Sequence, residues 1–167
     1  GANVAIFGRS EEALVKASAQ LPEALTVQGD VTSSADLERL FQETVGRFEK
    51  VDIVVANAGI ATFLPIEKVD EAIFDNMVNV NFKGTFFTVQ KALPHLSKGS
   101  SIILVSSNAH AMGVPTASIY CGTKAAVRSL ARTLSAELIP RGIRVNCISP
   151  GPTETPIFGK MGMSEAQ

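Results

Sequence analysis

Short apolar runs rich in β-branched residues alternate with longer stretches of helical period along this chain, and no other feature constrains its fold as much. Asn3–Phe7, Leu25–Gln28, Val51–Ala56, Ser101–Val105 and Ile143–Ile148 read as strands. Ser10 can cap a helix whose first turn holds Glu11 and Glu12, where the helix dipole favours negative charge, with Leu14, Ala17 and Leu21 on one face. Ser33 or Ser34 can cap the next helix, whose Leu37, Leu40, Phe41, Val45 and Phe48 form an amphipathic stripe. A long helical stretch runs from Glu71 to Leu96, with breaks expected near Gly84 and Pro94. Ser118–Leu138 forms another, stopped by Pro140 and Gly142.

The order β-α-β-α-β-α-β-α-β predicts a doubly wound α/β domain, because parallel strands need crossover connections and the helices then cover both faces of the sheet. The uninterrupted apolar run Val51–Ala56 reads as a strand buried on both faces. With 167 residues there is room for a single domain, 1–167. Sheets of this kind bind ligands beyond the carboxyl ends of their strands. The polar and Gly-containing segments should therefore follow strands, and they do: Gly8-Arg9-Ser10, Asp30-Val31, Asn57-Ala58-Gly59, Ser106-Ser107 and Pro150-Gly151. A parallel sheet puts them all on one rim.

Several function classes are disfavoured. The formal net charge is −1 and no Lys/Arg-rich run occurs, which argues against nucleic acid as a partner. Cys121 and Cys147 are too few for a disulfide framework, and their spacing suits no metal; a reducing, cytoplasmic setting is expected. His95 and His110 have no metal-ligand spacing either, so no metal is expected. No apolar run approaches the ~18–20 residues that span a bilayer, and no signal-like segment opens the chain.

Tyr120 and Lys124 carry the most chemical information. Four residues apart on a helix, they share a face. A free tyrosine titrates near ~10, and a neighbouring ammonium favours the phenolate. Such a pair can exchange a proton with a carbonyl or alcohol oxygen. By spacing alone, an ordinary helix bearing an aromatic and a lysine is the commoner explanation.

The surroundings of the pair change that balance. Tyr-x-x-x-Lys at 120–124, following a strand that ends in Ser106-Ser107, resembles the active site of the short-chain dehydrogenase/reductase family. The resemblance implies hydride transfer between a nicotinamide cofactor and a carbonyl or secondary alcohol, on a Rossmann-like fold. It implies Tyr120 as the acid/base, Lys124 as the residue that favours the phenolate and holds the nicotinamide ribose, and Ser107, thirteen residues before the tyrosine, as the donor to the reacting oxygen. Ser106 is the rival candidate by inspection, with a loop-bonding role expected instead. Val80-Asn81-Phe82-Lys83-Gly84 is similar to the family segment with the catalytic asparagine, which implies that Asn81, not Asn79, holds a water that relays protons from the lysine. An asparagine bonding main chain at a helix irregularity is the plainer reading, and the two are compatible.

Asn57-Ala58-Gly59 looks like the family's Asn-Asn-Ala-Gly segment with Ala56 in place of the first Asn, which implies cofactor contact through Asn57, Ala58 and Gly59. By the same resemblance Asp30 and Val31 meet the adenine, Pro150 and Gly151 meet the nicotinamide, and Thr153 and Thr155 lie near its carboxamide and the phosphates. After the first strand Gly8 stands where an acidic residue would bond the ribose of NAD, and Arg9 and Ser10 follow it; a guanidinium there suits the 2′-phosphate, so NADP(H) is expected over NAD(H). Phe63, His110 and Met112 are candidates for the substrate mouth, and Met161 for an apolar loop. A homo-oligomer, tetramer or dimer, is expected through Phe82, Phe86, Phe87 and Val89 on the long helix.

The family's first strand and its Gly-rich, pyrophosphate-cradling turn have no counterpart here. The expectation is therefore a partial chain, with a groove where that central strand would lie. The alternatives are a non-catalytic nucleotide-binding or scaffold remnant, and a sugar-nucleotide epimerase or dehydratase sharing the Tyr/Lys pair.

Overall fold

A computed structural model describes residues 1–153. Thr155 and Met161 lie outside the described residues. Strand β1 (Ala5–Gly8) leads through helix α1 (Glu11–Gln20) to β2 (Leu25–Gln28), and helix α2 (Ser34–Phe48) leads on to β3 (Ile53–Ala56). A 3₁₀ turn at Ile66–Lys68 precedes α3 (Glu71–Val78), a single π turn (Asn79–Lys83) and α4 (Gly84–Ala92). Then come β4 (Ser101–Val105), a 3₁₀ turn at Asn108–Ala111, α5 (Ser118–Leu138) and β5 (Arg144–Ile148). This is the expected alternation; β2 and β4 start where the apolar runs suggested, and β1, β3 and β5 start one or two residues later.

Every pairing is parallel. β1 pairs with β2 in register Ala5 to Leu25, and β4 lies between β3 and β5, with Ile53 opposite Ser101 and Ser101 opposite Arg144. The two ladders are not hydrogen-bonded to each other. Between them lies a cavity of about 710 Å³ lined by Phe7, Val31, Phe41, Val54, Ala56 and Thr85, among others, where the groove was expected.

Helix starts follow capping chemistry. Ser10, Ser33 and Asp70 have extended backbones, and their side-chain oxygens accept from Ala13 N, Asp36 N and Ile73 N. The core forms where α2, α4 and α5 press Phe41, Val89, Val127, Ala131 and Leu134 onto Val54, Ile102, Leu104 and Val145 of the strands. Side chains alternate along a strand, so the neighbours of these residues point the other way. Ile53 is 61% exposed and Val55 54%, and Ile53, Ile103 and Ile148 line an open hollow on that second face. The expectation that Val51–Ala56 is buried on both faces is therefore met on one face only: among the described residues, the helices that follow β2, β3 and β4 all pack on the same side.

Ile102 sits fully buried in the middle strand. Ile102→Ala is expected to destabilise the fold by about 2–5 kcal/mol, combining lost transfer energy with a cavity that the flanking helices cannot close. Urea unfolding followed by circular dichroism measures it; a loss under about 1 kcal/mol contradicts this packing.

Candidate active site

All five polar segments end on one rim, as parallel strands require. Two hydrogen bonds join the ends of β4 and β5: Ser106 N donates to Ile148 O and Asn108 N to Pro150 O, both at 2.9 Å. They place Ser107 beside Pro150 and Gly151.

Tyr120 lies in the first turn of α5, and Lys124 follows one turn later. The Lys124 Nζ lies 5.8 Å from the centroid of the Tyr120 ring, so the helical spacing does bring the two together. Lys124 is only 6% exposed. Its ammonium donates to Val105 O at 3.0 Å, and its own carbonyl accepts from Ser106 Oγ at 2.7 Å. Ser106 is thus engaged in joining β4 to α5, the loop-bonding role expected of it. An ammonium has three protons, and among the described residues Val105 O takes one. Burial pushes the Lys124 pKa below its ordinary 10.5, partly opposed by the nearby Cys147 thiol.

Ser107 caps the 3₁₀ turn at Asn108–Ala111 with an extended backbone. Its Oγ accepts from Ala109 N at 3.2 Å and donates to Asn108 Oδ1 across a long 3.4 Å. The hydroxyl is oriented, while its proton is only weakly held. Phe63, from the loop after β3, sets its ring 6.0 Å from that of Tyr120, tilted by 54°. The amide of His110 donates to Ser107 O, and Met112 is exposed.

Asn81 explains how these pieces stay together. It is 1% exposed, in the π turn between α3 and α4. Its Oδ1 accepts from Ile60 N at 2.8 Å, and its Nδ2 donates to Ile60 O at 2.9 Å and to Thr123 Oγ1 at 3.1 Å. Thr123 in turn donates to Tyr120 O. Sequence reasoning missed Thr123; its place between the tyrosine and the lysine was the available signal. Both protons of the Asn81 amide are engaged, and one lone pair on Oδ1 is left over.

Gly59 keeps the space beside Lys124 and Asn81 open. A Cβ there would lie 3.3 Å from Lys124 Nζ and 3.5 Å from Asn81 Oδ1. The space a side chain would fill lies against the ammonium, which makes a cradle for a ligand.

The second cluster lies at the ends of β1 and β2. The Arg9 guanidinium approaches Asp30 Oδ2 at 3.6 Å, and Asp30 Oδ1 accepts from the amide and hydroxyl of Thr32, both at 2.8 Å. Burial alone would raise the Asp30 pKa, but the Thr32 bonds and the Arg9 charge outweigh it and hold the carboxyl below its usual range. The Ser10 oxygen accepts the cap bond of α1 from Ala13 N, which leaves its O–H proton as a donor. Val31 packs against Gly84 and, with Asn57 and Ala58, lines the 710 Å³ cavity. Thr153 donates to Gly151 O. Among the described residues no group of three His, Cys, Asp or Glu side chains could hold a metal, and no helix is long and apolar enough to cross a membrane.

Three comparisons bear on this site. A family model described as short chain dehydrogenase matches residues 1–166. The oxidoreductase asL5 of Sarocladium schorii is 42% identical over 98% of this chain and 68% of its own length. A hydroxynaphthalene reductase-like protein, Arp2, of Metarhizium majus is 39% identical over 81% of this chain and 51% of its own. The crystal structure of 3-ketoacyl-(acyl-carrier-protein) reductase from Brucella melitensis complexed with NADH superposes with a TM-score of 0.91 at 30% identity, covering 97% of this chain and 70% of that one. The chain thus spans between about half and about two thirds of the length of these curated relatives.

The buried lysine gives stability a pH dependence. Its folded-state pKa is depressed, so between that value and 10.5 the unfolded chain binds more protons, and unfolding free energy rises as pH climbs through the interval. Lys124→Met is expected to lack this rise. Urea unfolding of both proteins at about pH 8 and about pH 10 tests the sign: the stability of the wild type relative to the variant should increase, and a decrease contradicts the assignment.

Proposed function

This chain belongs to the short-chain dehydrogenase family, and on that premise we propose that it carries the catalytic centre of an NADP(H)-dependent oxidoreductase acting on a carbonyl or secondary alcohol. The observation that supports this best is the buried Lys124 ammonium, which lies against both the Tyr120 ring and the space above Gly59. Few structural needs account for a lysine desolvated beside a tyrosine at a strand-end rim.

A nicotinamide cofactor bound along the rim supplies or accepts the hydride. In the reducing direction the Tyr120 hydroxyl donates its proton to the substrate oxygen as the carbonyl carbon is reduced; in oxidation it takes that proton back. The Lys124 ammonium beside the ring offsets the negative charge that develops when the proton leaves, and its remaining protons would hold the ribose hydroxyls of a nicotinamide cofactor. Ser107, whose proton is only weakly engaged, donates to the same substrate oxygen and stabilises charge there in the transition state. Asn81 fixes the Ile60 segment and Thr123, and its remaining Oδ1 lone pair accepts from a water that refills the proton supply.

Asn57, Ala58 and Gly59 would lie along the adenosine half of the cofactor, Asp30 and Val31 at the adenine, and Pro150, Gly151 and Thr153 at the nicotinamide end. The proposed role of Thr155 near the phosphates falls outside the described residues. The preference for NADP(H) rests on Arg9, which is the cation at the end of β1 where NAD would want a carboxylate. Two similar proteins are named for 3-ketoacyl and hydroxynaphthalene substrates, which supports a ketone as the reacting group here. A cytoplasmic homo-oligomer, tetramer or dimer, is further proposed; Phe74 and Phe86 leave apolar surface exposed along α3 and α4, whereas Val89, expected to serve the interface, is buried in the core and Phe82 packs against it.

Tyr120→Phe in the full-length enzyme should lower the rate of ketone reduction by roughly 10²–10⁴-fold while binding still shifts or enhances the emission of the NADPH nicotinamide itself. Retention of full activity overturns the acid/base role. Sedimentation at micromolar concentration should give a species larger than a monomer, and a monomer contradicts the oligomer.

A further inference from the structure

Five residues close a ring around the turn after β2, and the ring holds Arg9 by both its main chain and its side chain. The Gln28 side chain donates from Nε2 to Arg9 O at 3.1 Å. The Gln28 carbonyl accepts from an Arg39 guanidinium nitrogen at 2.5 Å. Arg39 pairs with Asp36 Oδ1 at 3.1 Å, and Asp36 Oδ2 accepts from Asp30 N at 2.9 Å. Asp30 closes the circuit on the Arg9 guanidinium at 3.6 Å.

Asp36 stands three residues after the Ser33 cap, where a carboxylate commonly bonds back to the cap residue's own amide. Here it reaches past Ser33 to Asp30. That reach depends on Gly29, where a Cβ would lie 2.9 Å from the Asp36 Cβ and 2.6 Å from the Phe7 ring. The start of α2 is thereby drawn onto the ends of β1 and β2.

We infer that Asp36 and Arg39 are positioning residues that set Arg9 for a phosphate ester on the cofactor's adenosine ribose, without touching the cofactor themselves. The inference rests on the proposed NADP(H) reading. The physical case is one of preorganisation. Arg9 is 64% exposed at its side chain, and one exposed ion pair with Asp30 restrains it little. An unrestrained arginine loses rotamer freedom when a phosphate orders it, and that loss weakens binding. The ring adds what that pair lacks: Gln28 fixes the Arg9 main chain and Asp36 fixes the amide of Asp30, so the carboxylate facing the guanidinium is held in place and part of the loss precedes binding. A guanidinium has five N–H donors, so contact with Asp30 leaves others for phosphate oxygens. NADH has no 2′-phosphate and gains nothing from a restrained Arg9.

The test uses the full-length enzyme and fluorescence titrations with NADPH and with NADH. Arg39→Met, and separately Asp36→Asn, should raise the NADPH dissociation constant roughly three- to tenfold, an indirect effect about the size of one ordinary hydrogen bond. The NADH constant should move clearly less than the NADPH constant, the residual change coming from the Asp30 amide that Asp36 holds at the adenine common to both nucleotides. In an Arg9→Ala background the same changes should alter NADPH affinity no more than they alter NADH affinity, because the residue that distinguishes the two is gone. Equal weakening of both nucleotides, or full additivity with Arg9→Ala, overturns the inference. If Arg9→Ala weakens NADPH binding while Arg39→Met and Asp36→Asn do not, the ring alone is wrong. If Arg9→Ala leaves NADPH affinity unchanged, the cofactor reading fails and the inference fails with it.

Discussion

The amide of Asn81 grips the main chain of Ile60 in both directions, and the geometry of the proposed site hangs on that grip. Ile60 belongs to the loop leaving β3, and Thr123, bonded to the other Nδ2 proton, belongs to α5. One side chain therefore joins the segment that frames the cradle to the helix that carries the tyrosine and lysine. Removing the amide would leave the Ile60 N–H and C=O without their partner, at a penalty of about 1–3 kcal/mol for each that water does not reach. The π turn is part of the same device. It inserts one residue beyond helical repeat between α3 and α4, which leaves those helices intact while turning Asn81 inward.

The rim divides into two environments with different physics. Around Lys124 the dominant effect is desolvation, and the hydrogen bonds are short, few and shielded from solvent. A charge kept there interacts strongly with whatever forms beside it, because little water screens it. At the ends of β1 and β2 the charges are exposed, and hydrogen bonds outweigh burial in setting the state of Asp30. Individual pairs contribute little there, so order comes from closure of the circuit rather than from any one contact. The proposed chemistry uses the first environment for proton transfer and the second for recognising one nucleotide over another.

The alternation of strands and helices was legible in the sequence because hydrophobic period and cap residues are local signals. The Tyr120–Lys124 pair was legible because helical spacing fixes which residues share a face. Other features were not. Ile53 and Val55 lie in an apolar run that reads as doubly buried, yet their burial depends on what covers a distant face, which no local window reports. The break in the long helix was visible at Gly84, but its register, starting at Asn79, follows from the pull of Asn81 on Ile60, a contact spanning 21 residues. Ser10 was read both as a cap and as a nucleotide contact; its oxygen accepts the cap bond, and its proton is left for the other reading. The ring through Asp36 and Arg39 was invisible because each member alone is an ordinary charged helix residue.

The open face of the three-stranded ladder has a practical consequence. Ile53, Val55 and Ile148 form a stripe of branched hydrocarbon with no helix over it among the described residues. Such a surface attracts its own kind and detergents alike. A recombinant fragment limited to these residues will be colloidally unstable as protein concentration rises, and salts that strengthen apolar association will bring it out of solution sooner.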